Sequence, residues 1–261
     1  MTSLAKRIAH HAARGFVQHP VHTAFPEGMV SFCFDDFPKS AATFGASILE
    51  EQNLRGTFFP CASYAGQTVD GVRQFDTEDL MKLSEAGHEI GCHTADHARL
   101  PELSVAEMRK QFDDNAGYFK SLGLPAAQVH AYPFGDVSPR VKRCASQRFP
   151  VSRGAWAGVN AKKTDRALLK CVSLEAHILK ERPIEYWITA AKNQQAWVIF
   201  LTHDIQVDHS YFGVSPKNFE ATVAAVVDSG MQVLPIGAAF DQGILQEPQH
   251  PSSDLKQAHV R

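Results

Sequence analysis

Long apolar runs are what this 261-residue chain most clearly lacks: the longest, Ala196-Trp-Val-Ile-Phe-Leu201, falls far short of the roughly 18 residues a membrane-spanning helix needs. No membrane span is expected. An excess of charge is missing too. The formal net charge is -2 at pH 7 and the 26 basic residues are scattered, so nucleic acid finds no electrostatic footprint. Cysteines are few and odd in number: Cys33, Cys61, Cys92, Cys144 and Cys171 have neither the spacing of a disulfide framework nor that of a zinc ribbon. That usage points to a reducing compartment. The first 26 residues have no continuous apolar core of the kind a secretory signal carries, and the expectation is a cytoplasmic protein. Acids are absent before Glu27, while Lys6, Arg7 and Arg14 give the stretch a faint likeness to an organelle transit peptide. Serines are too few for one, and an ordinary N-terminal helix or arm over 1–28 is the expectation. No repeat, low-complexity tract or shift in composition divides the chain. A single domain is therefore expected over 29–245, with a mobile tail over 246–261 whose Pro, Ser, Gln and charged residues have nothing to bury.

What is present is an alternation of short apolar runs with longer amphipathic ones. The pattern predicts strands over 29–34, 56–59, 88–92, 129–132, 150–153, 170–174, 197–202 and 231–234. Between them it predicts helices over 40–52, 77–86, 104–122, 138–147, 184–193 and 217–229, with Ser40 as an N-cap, Ser104 and Glu107 as a capping box, and Gly87 as a terminator. Seven or eight strands alternating with helices argue for an α/β fold whose parallel sheet is buried on both faces. In one domain of this length, a TIM-barrel-like closure is the natural outcome.

Two stretches carry chemistry. In Gly91-Cys-His-Thr-Ala-Asp-His97, His93 and His97 stand four apart, so both imidazoles face one point if the backbone makes a helical turn. Such pairs also occur by accident on surface helices. Phe32-Cys-Phe-Asp-Asp36 is the less ordinary feature, because two adjacent carboxylates end an apolar strand, where desolvation is costly unless a cation meets them. The candidates also segregate. Asp35 and Asp36, His93, Pro133 and Phe134, Arg153 and His203 all fall at carboxyl ends of predicted strands, the face on which barrels build active sites. Two histidines and a carboxylate leave positions open on a divalent ion, which polarises a carbonyl and acidifies water. A free carboxylate beside them can take a proton and a histidine across the site can return one, which describes amide hydrolysis.

From about Met29 to Phe240 the sequence resembles the polysaccharide deacetylase family, the NodB-homology or carbohydrate esterase 4 domain. The resemblance implies a distorted (β/α)7 barrel that removes acetyl groups from sugars with a divalent metal, zinc first, with cobalt, nickel, manganese or iron as alternatives. Its first motif, Thr-Phe-Asp-Asp-Gly, stands here as Cys33-Phe-Asp-Asp-Phe37, implying Asp35 as general base and Asp36 as metal ligand. The second is matched by His93-Thr94-Ala95-Asp96-His97, implying both histidines as ligands and Thr94 as a brace. The third survives as Pro133-Phe134-Gly135, where the Phe134 N–H faces the oxyanion. The fifth, Leu201-Thr-His203, implies an acetyl-methyl pocket at Leu201 and a general acid at His203.

The third motif's arginine is replaced by Ala131, and Arg153 is the expected substitute, reaching across from the next strand; a simple rim ion pair is its alternative. The fourth motif's Asp-Trp pair is not recognisable, which leaves Trp156 as a hydrophobic wall or as core. Tyr132 is placed with Phe134, Arg153, Trp156 and Leu201 on the oxyanion and substrate side. Phe37, in place of glycine, is expected to narrow the floor beside the acids. Cys33 and Cys92 read as small buried hydrophobes, Asp96 as solvent-facing or outside the ligand set, and His177, His209 and the His10-His11 pair as surface residues. Asp204 is discounted as a partner of His203, since neighbours on a strand point apart. The expected substrate is an N-acetylated sugar, such as a nucleotide- or lipid-linked precursor of a surface glycan or lipopolysaccharide. Two alternatives stand beside it: a cyclic-imide or allantoin-type amidohydrolase on the same barrel, and a catalytically silent barrel that binds glycans.

Overall fold

Met29–Asp36, the segment MVSFCFDD, forms strand β1 and is buried along nearly its whole length, as a strand covered on both faces must be. Six more barrel strands follow in the computed structural model, which describes residues 13–243: β2 Thr57–Pro60, β3 Glu89–Ile90, β4 Val129–Ala131, β5 Val151–Arg153, β6 Val172–Ser173 and β7 Trp197–Thr202. All pair in parallel. β7 lies along β1 from Trp197↔Met29 to Thr202↔Phe34, and β2 takes the other edge from Cys33↔Thr57 to Asp36↔Pro60. β3 pairs with β2, β5 with β4, and β6 with β7.

Two seams close the ring with single bridges rather than ladders. Between β3 and β4, Cys92 N donates to Val129 O at 2.9 Å and Ala131 N to Cys92 O at 3.0 Å; between β5 and β6, Leu169 N donates to Ser152 O and Gly154 N to Leu169 O, both at 2.9 Å. The result is a distorted (β/α)7 barrel. A short eighth strand, β8 (Gln232–Val233), pairs with the Met29 end of β1 below the point where β2 joins.

The pleat sorts the residues. Met29, Cys33, Val129, Ala131, Val151, Trp197, Ile199 and Leu201 pack in one interior cluster closed below by Phe25, Ile236 and Phe240, whereas Val30, Phe32, Phe34, Val198 and Phe200 join the outer cluster under the helices. These outer helices include α1 Ser47–Glu51, α2 Thr77–Glu85, α3 Val105–Ser121, α4 Pro139–Ser146, α5 Ala176–Glu181, α6 Ile184–Asn193 and α7 Pro216–Asp228; α8 Ile236–Gly243 supplies the floor. Among the described residues, no helix is long and apolar enough to cross a membrane.

The bounds of β7 and α6 match the sequence reading, and the Ser104–Glu107 capping box forms with both reciprocal bonds. Ser40 does not cap. Its backbone is already helical and its hydroxyl accepts from Ile205 N at 3.1 Å, while the helix expected over 40–52 opens as a wider π-helical turn, Ala41–Ala46. Gly45 lets that turn press on the barrel, since a Cβ there would come within 2.8 Å of Phe34 and Ile205. A second capping box, Asp76 with Asp79, starts α2 and went unread in the sequence. The tail expected over 246–261, the first 12 residues of the N-terminal arm and the His10-His11 pair lie outside the described residues.

Candidate active site

Strand alternation points Asp35 into the barrel, in line with Met29 and Cys33, and would send Asp36 outward. The chain prevents this by turning left-handed at two successive residues, Asp36 (φ 58°) and Phe37 (φ 66°), and both carboxylates line one cavity of about 610 Å³. The imidazoles also arrive through local backbone strain. His93 and His97 do not sit on a helical turn, as their spacing suggested; the segment is a loop with Thr94 at φ 68° and His97 at φ 52°. Side-chain bonds hold this loop. Thr94 Oγ1 accepts from Ala98 N at 3.1 Å, Gln111 Oε1 accepts from Ala95 N and Asp96 N at 3.1 and 3.0 Å, and Asp96 turns away to accept from Gln111 Nε2 at 2.8 Å.

The three candidate ligands meet. His93 Nε2 and His97 Nε2 lie 3.5 and 3.3 Å from Asp36 Oδ1, and the donor atoms of all three residues fall within 4.8 Å of one another. Ala131 O, 2.9 Å from His93 Nδ1, accepts the proton there and leaves Nε2 as a lone-pair donor toward the cavity. Asp36 Oδ1 is buried and has no hydrogen bond among the described residues, an orphaned acceptor in a site with room for a cation. Burial, aided by Asp70, pushes the Asp36 carboxyl up to about 7; burial, aided by Arg99, pulls His97 down to about 4, and His93 falls well below the usual imidazole range. Neutral imidazoles and a carboxylate that gains from a cation suit a divalent ion.

Asp35 has a separate partner. The Arg153 guanidinium donates to Asp35 Oδ1 with both side chains almost fully buried, at 1% and 7% exposure. Ala131 and Arg153 are register partners on β4 and β5, so an arginine at either position enters the barrel from the same side. Arg153 thus meets Asp35 from the strand next to the one on which the third motif's arginine was expected. His203 follows β7 with Nδ1 buried and unpartnered; burial and Arg153 bring its pKa to about 4. Leu201 lines the same cavity. Phe134, at φ 58°, lies against His97 with ring centroids 4.2 Å apart, and the Arg99 guanidinium covers it at 3.7 Å.

Tyr132 and Phe37 fall elsewhere than expected, and Trp156 takes the core place that was its alternative. Tyr132 follows the inward Ala131 and so faces outward, where its hydroxyl donates to Ala167 O at 2.8 Å within an outer cluster around Phe112 and Phe149. Trp156 packs at the edge of that cluster under Arg14, and Ala155 lines the cavity instead. Phe37 does not floor the site; its ring is fully buried and stacks on Phe75 at 4.7 Å. Its φ explains why glycine suits that motif position. Phe37→Gly should relieve the strained backbone yet empty a ring site, a net loss of about 2–4 kcal/mol and a fall in Tm of roughly 5–10 °C, read by thermal unfolding. Cys33 and Cys92 are buried as expected.

The cavity has walls that the sequence reading missed. One is a hairpin, Thr68–Val69 with Val72–Arg73, turning at Asp70-Gly71 with φ of 48° and 81°, the strongest short hairpin signal a sequence carries. Tyr64 and Gln74 stand beside it. The other wall is Glu175 with Tyr211 and Phe212, for which no local signal existed. Asp204 builds this wall, accepting from Ser210 N at 2.7 Å and Ser210 Oγ at 2.6 Å, and it makes no bond to His203.

A family model described as polysaccharide deacetylase matches residues 22–148. The peptidoglycan-N-acetylglucosamine deacetylase PgdA of Listeria monocytogenes is 30% identical over 121 residues, 43% of this chain and 22% of its own length. Chitin deacetylase 1 of Saccharomyces cerevisiae is 29% identical over 119 residues, 45% of this chain and 36% of its own. The chain thus spans only a minor part of these curated relatives. Among solved structures, the esterase family 4 domain of a multidomain xylanase from the hindgut metagenome of Trinervitermes trinervoides matches with a TM-score of 0.59 at 16% identity, covering 83% of this chain and 91% of that one. The matched sequence segment ends before β5, and β5 to β7 complete the barrel that the solved relative shares; the chain matches the polysaccharide deacetylase family over residues 22–148 and shares the fold of that solved relative over the whole barrel.

Proposed function

We propose that this chain hydrolyses the acetamide of an N-acetylated sugar in a glycan, releasing acetate, with a divalent ion held by Asp36, His93 and His97. The convergence of those three donor sets within 4.8 Å, in the cavity that also holds Asp35, carries the reading. Zinc suits two imidazoles and a carboxylate, and cobalt, nickel, manganese or iron are the alternatives. The bound ion supplies Lewis acidity toward the acetyl carbonyl. The remaining work belongs to side chains. Asp35, its charge balanced by Arg153, accepts the proton of the attacking water. The Phe134 N–H donates to the oxyanion, and Leu201 packs the acetyl methyl. His203 delivers a proton to the departing amine. Because it rests neutral, with a pKa of about 4, it acquires that proton in the substrate complex, as negative charge builds in front of it.

Acetate release from N-acetylglucosamine oligomers by the zinc- or cobalt-supplied protein tests this directly. Turnover should vanish with a chelator and return with the metal, and Asp35→Asn should lower kcat by about 10²–10⁴-fold with metal content unchanged. Ring opening of cyclic amides without acetate release would sink the reading.

A further inference from the structure

The cleft above the candidate ligands has an uneven charge that hydrolysis alone does not require. Among the described residues, no lysine or arginine lines it. Two arginines near its polar end are already engaged: Arg153 is buried against Asp35, and Arg99 pairs with Asp136 and covers the Phe134 ring. Carboxylates stand at both walls. Asp70 projects from the hairpin after β2 and has no hydrogen bond or ion pair among the described residues, although it lies near enough to Asp36, His97 and Tyr64 to bias their ionisation. Glu175 follows β6, on the other side of β1, where Ser173 Oγ donates to it at 2.7 Å and His177 Nε2 lies at 3.4 Å. Exposed rings accompany Glu175. Tyr211 and Phe212 are 68% and 52% exposed; Tyr211 stacks on His177 at 4.8 Å and Phe212 leans on His203 at 5.4 Å. Exposed rings of this kind suit the C–H face of a sugar, while a lone carboxylate at the mouth suits a cation.

We propose that Asp70, with Glu175 opposite, is a specificity-determining carboxylate that receives the ammonium group of an already deacetylated neighbouring sugar, while Tyr211 and Phe212 hold the sugar rings. The inference rests on the hydrolytic reading and narrows its substrate to amine-bearing glycans. An acetyl group seated at Asp36, His93 and His97 leaves the rest of the ligand facing the mouth, where any second charge meets Asp70 and Glu175. Hydrolysis adds water to the amide, breaks the C–N bond and yields acetate plus an amine that is protonated at neutral pH. Each round therefore makes the cation that the rim receives, which favours further removal beside a unit already processed. The same charges disfavour a phosphate beside the acetylated unit, and so weigh against a nucleotide- or lipid-linked precursor.

The test compares kcat/KM of the zinc-loaded protein for a fully N-acetylated glucosamine tetramer and for the same tetramer bearing one free amine. A diphosphate-linked N-acetylglucosamine is the third substrate. The amine-bearing tetramer should lead by about tenfold, the size of one charge-assisted contact, and its lead should shrink as salt rises from 0.05 to 0.5 M. Asp70→Asn should bring the ratio close to one, and Asp70→Glu should keep most of it. A wild-type ratio of one or less, a ratio indifferent to Asp70→Asn, or diphosphate-linked sugar turned over as fast as the amine-bearing tetramer overturns the proposal. If no tetramer releases acetate, the hydrolytic reading has failed on its own account. Calorimetric binding of the two tetramers then decides this one: a tenfold preference lost in Asp70→Asn sustains it, and equal affinities or no binding end it.

Discussion

Arg153→Ala should lower kcat/KM for acetate release by about 10²–10³-fold, and adding Ala131→Arg should return most of that loss. The two positions are register partners on neighbouring parallel strands, roughly 5 Å apart, and both side chains enter the barrel. A guanidinium has the length to reach Asp35 from either strand. The single variant also strips a buried carboxylate of its cation, a change that typically costs about 3–5 kcal/mol, so unfolding must be followed alongside activity. The pair of readouts separates roles. If Ala131→Arg restores stability without turnover, Arg153 serves only to balance the charge of Asp35. If Arg153→Ala leaves kcat/KM within about twofold, the guanidinium has no share in turnover. Recovery of both measures the equivalence of the two strand positions.

That equivalence also shows what a sequence reveals and what it hides. The expected bounds of β7 held because its apolar run is continuous and ends at Thr202-His203. Arg153 was reachable too, since adjacent parallel strands leave few places from which a missing cation can return. The convergence of His93 and His97 was expected for a reason that does not apply: a spacing of four fits a helical turn, but it fits equally a loop bent left-handed at Thr94 and His97, and spacing alone does not distinguish them. Tyr132 was misplaced although the alternation rule that put Ala131 inside also puts Tyr132 outside. Trp156 differs, because it lies beyond Gly154, where the chain has left the strand and no periodicity applies. The cavity walls divide in the same way. Val69-Asp70-Gly71-Val72 announces its turn through local chemistry, whereas Tyr211 and Phe212 reach the cavity only because Asp204, a buried carboxylate, gathers the backbone around Ser210.

Acid should loosen this barrel at a buried histidine on its outer face. His130 sits on the outward face of β4 with its ring stacked on Phe149 at 5.0 Å and edge-on to Phe112 and Tyr132 at 5.2 and 4.7 Å; it is fully buried and neither ring nitrogen has a hydrogen bond among the described residues. Burial brings its pKa to about 3. In the unfolded chain the same imidazole titrates near 6.5, so below that pH the unfolded state binds a proton that the folded state refuses. The stability associated with neutral His130 is complete above about pH 6.5 and is lost progressively as pH falls toward 3. Between pH 7.5 and 4.5 the loss from this residue should be about 2–3 kcal/mol. His130→Leu, close in volume and without polar atoms, removes two orphaned buried nitrogens, so it should be neutral or stabilising at pH 7.5 and should lead wild type by a margin that widens on acidification. Histidines whose ionisation His130 does not bias, including His97 and His203, titrate in each and cancel in the difference. Urea unfolding at five or six pH values measures that margin directly. A wild-type-to-variant difference that stays flat from pH 7.5 to 4.5 would mean that the buried ring finds a proton or a partner without opening the fold.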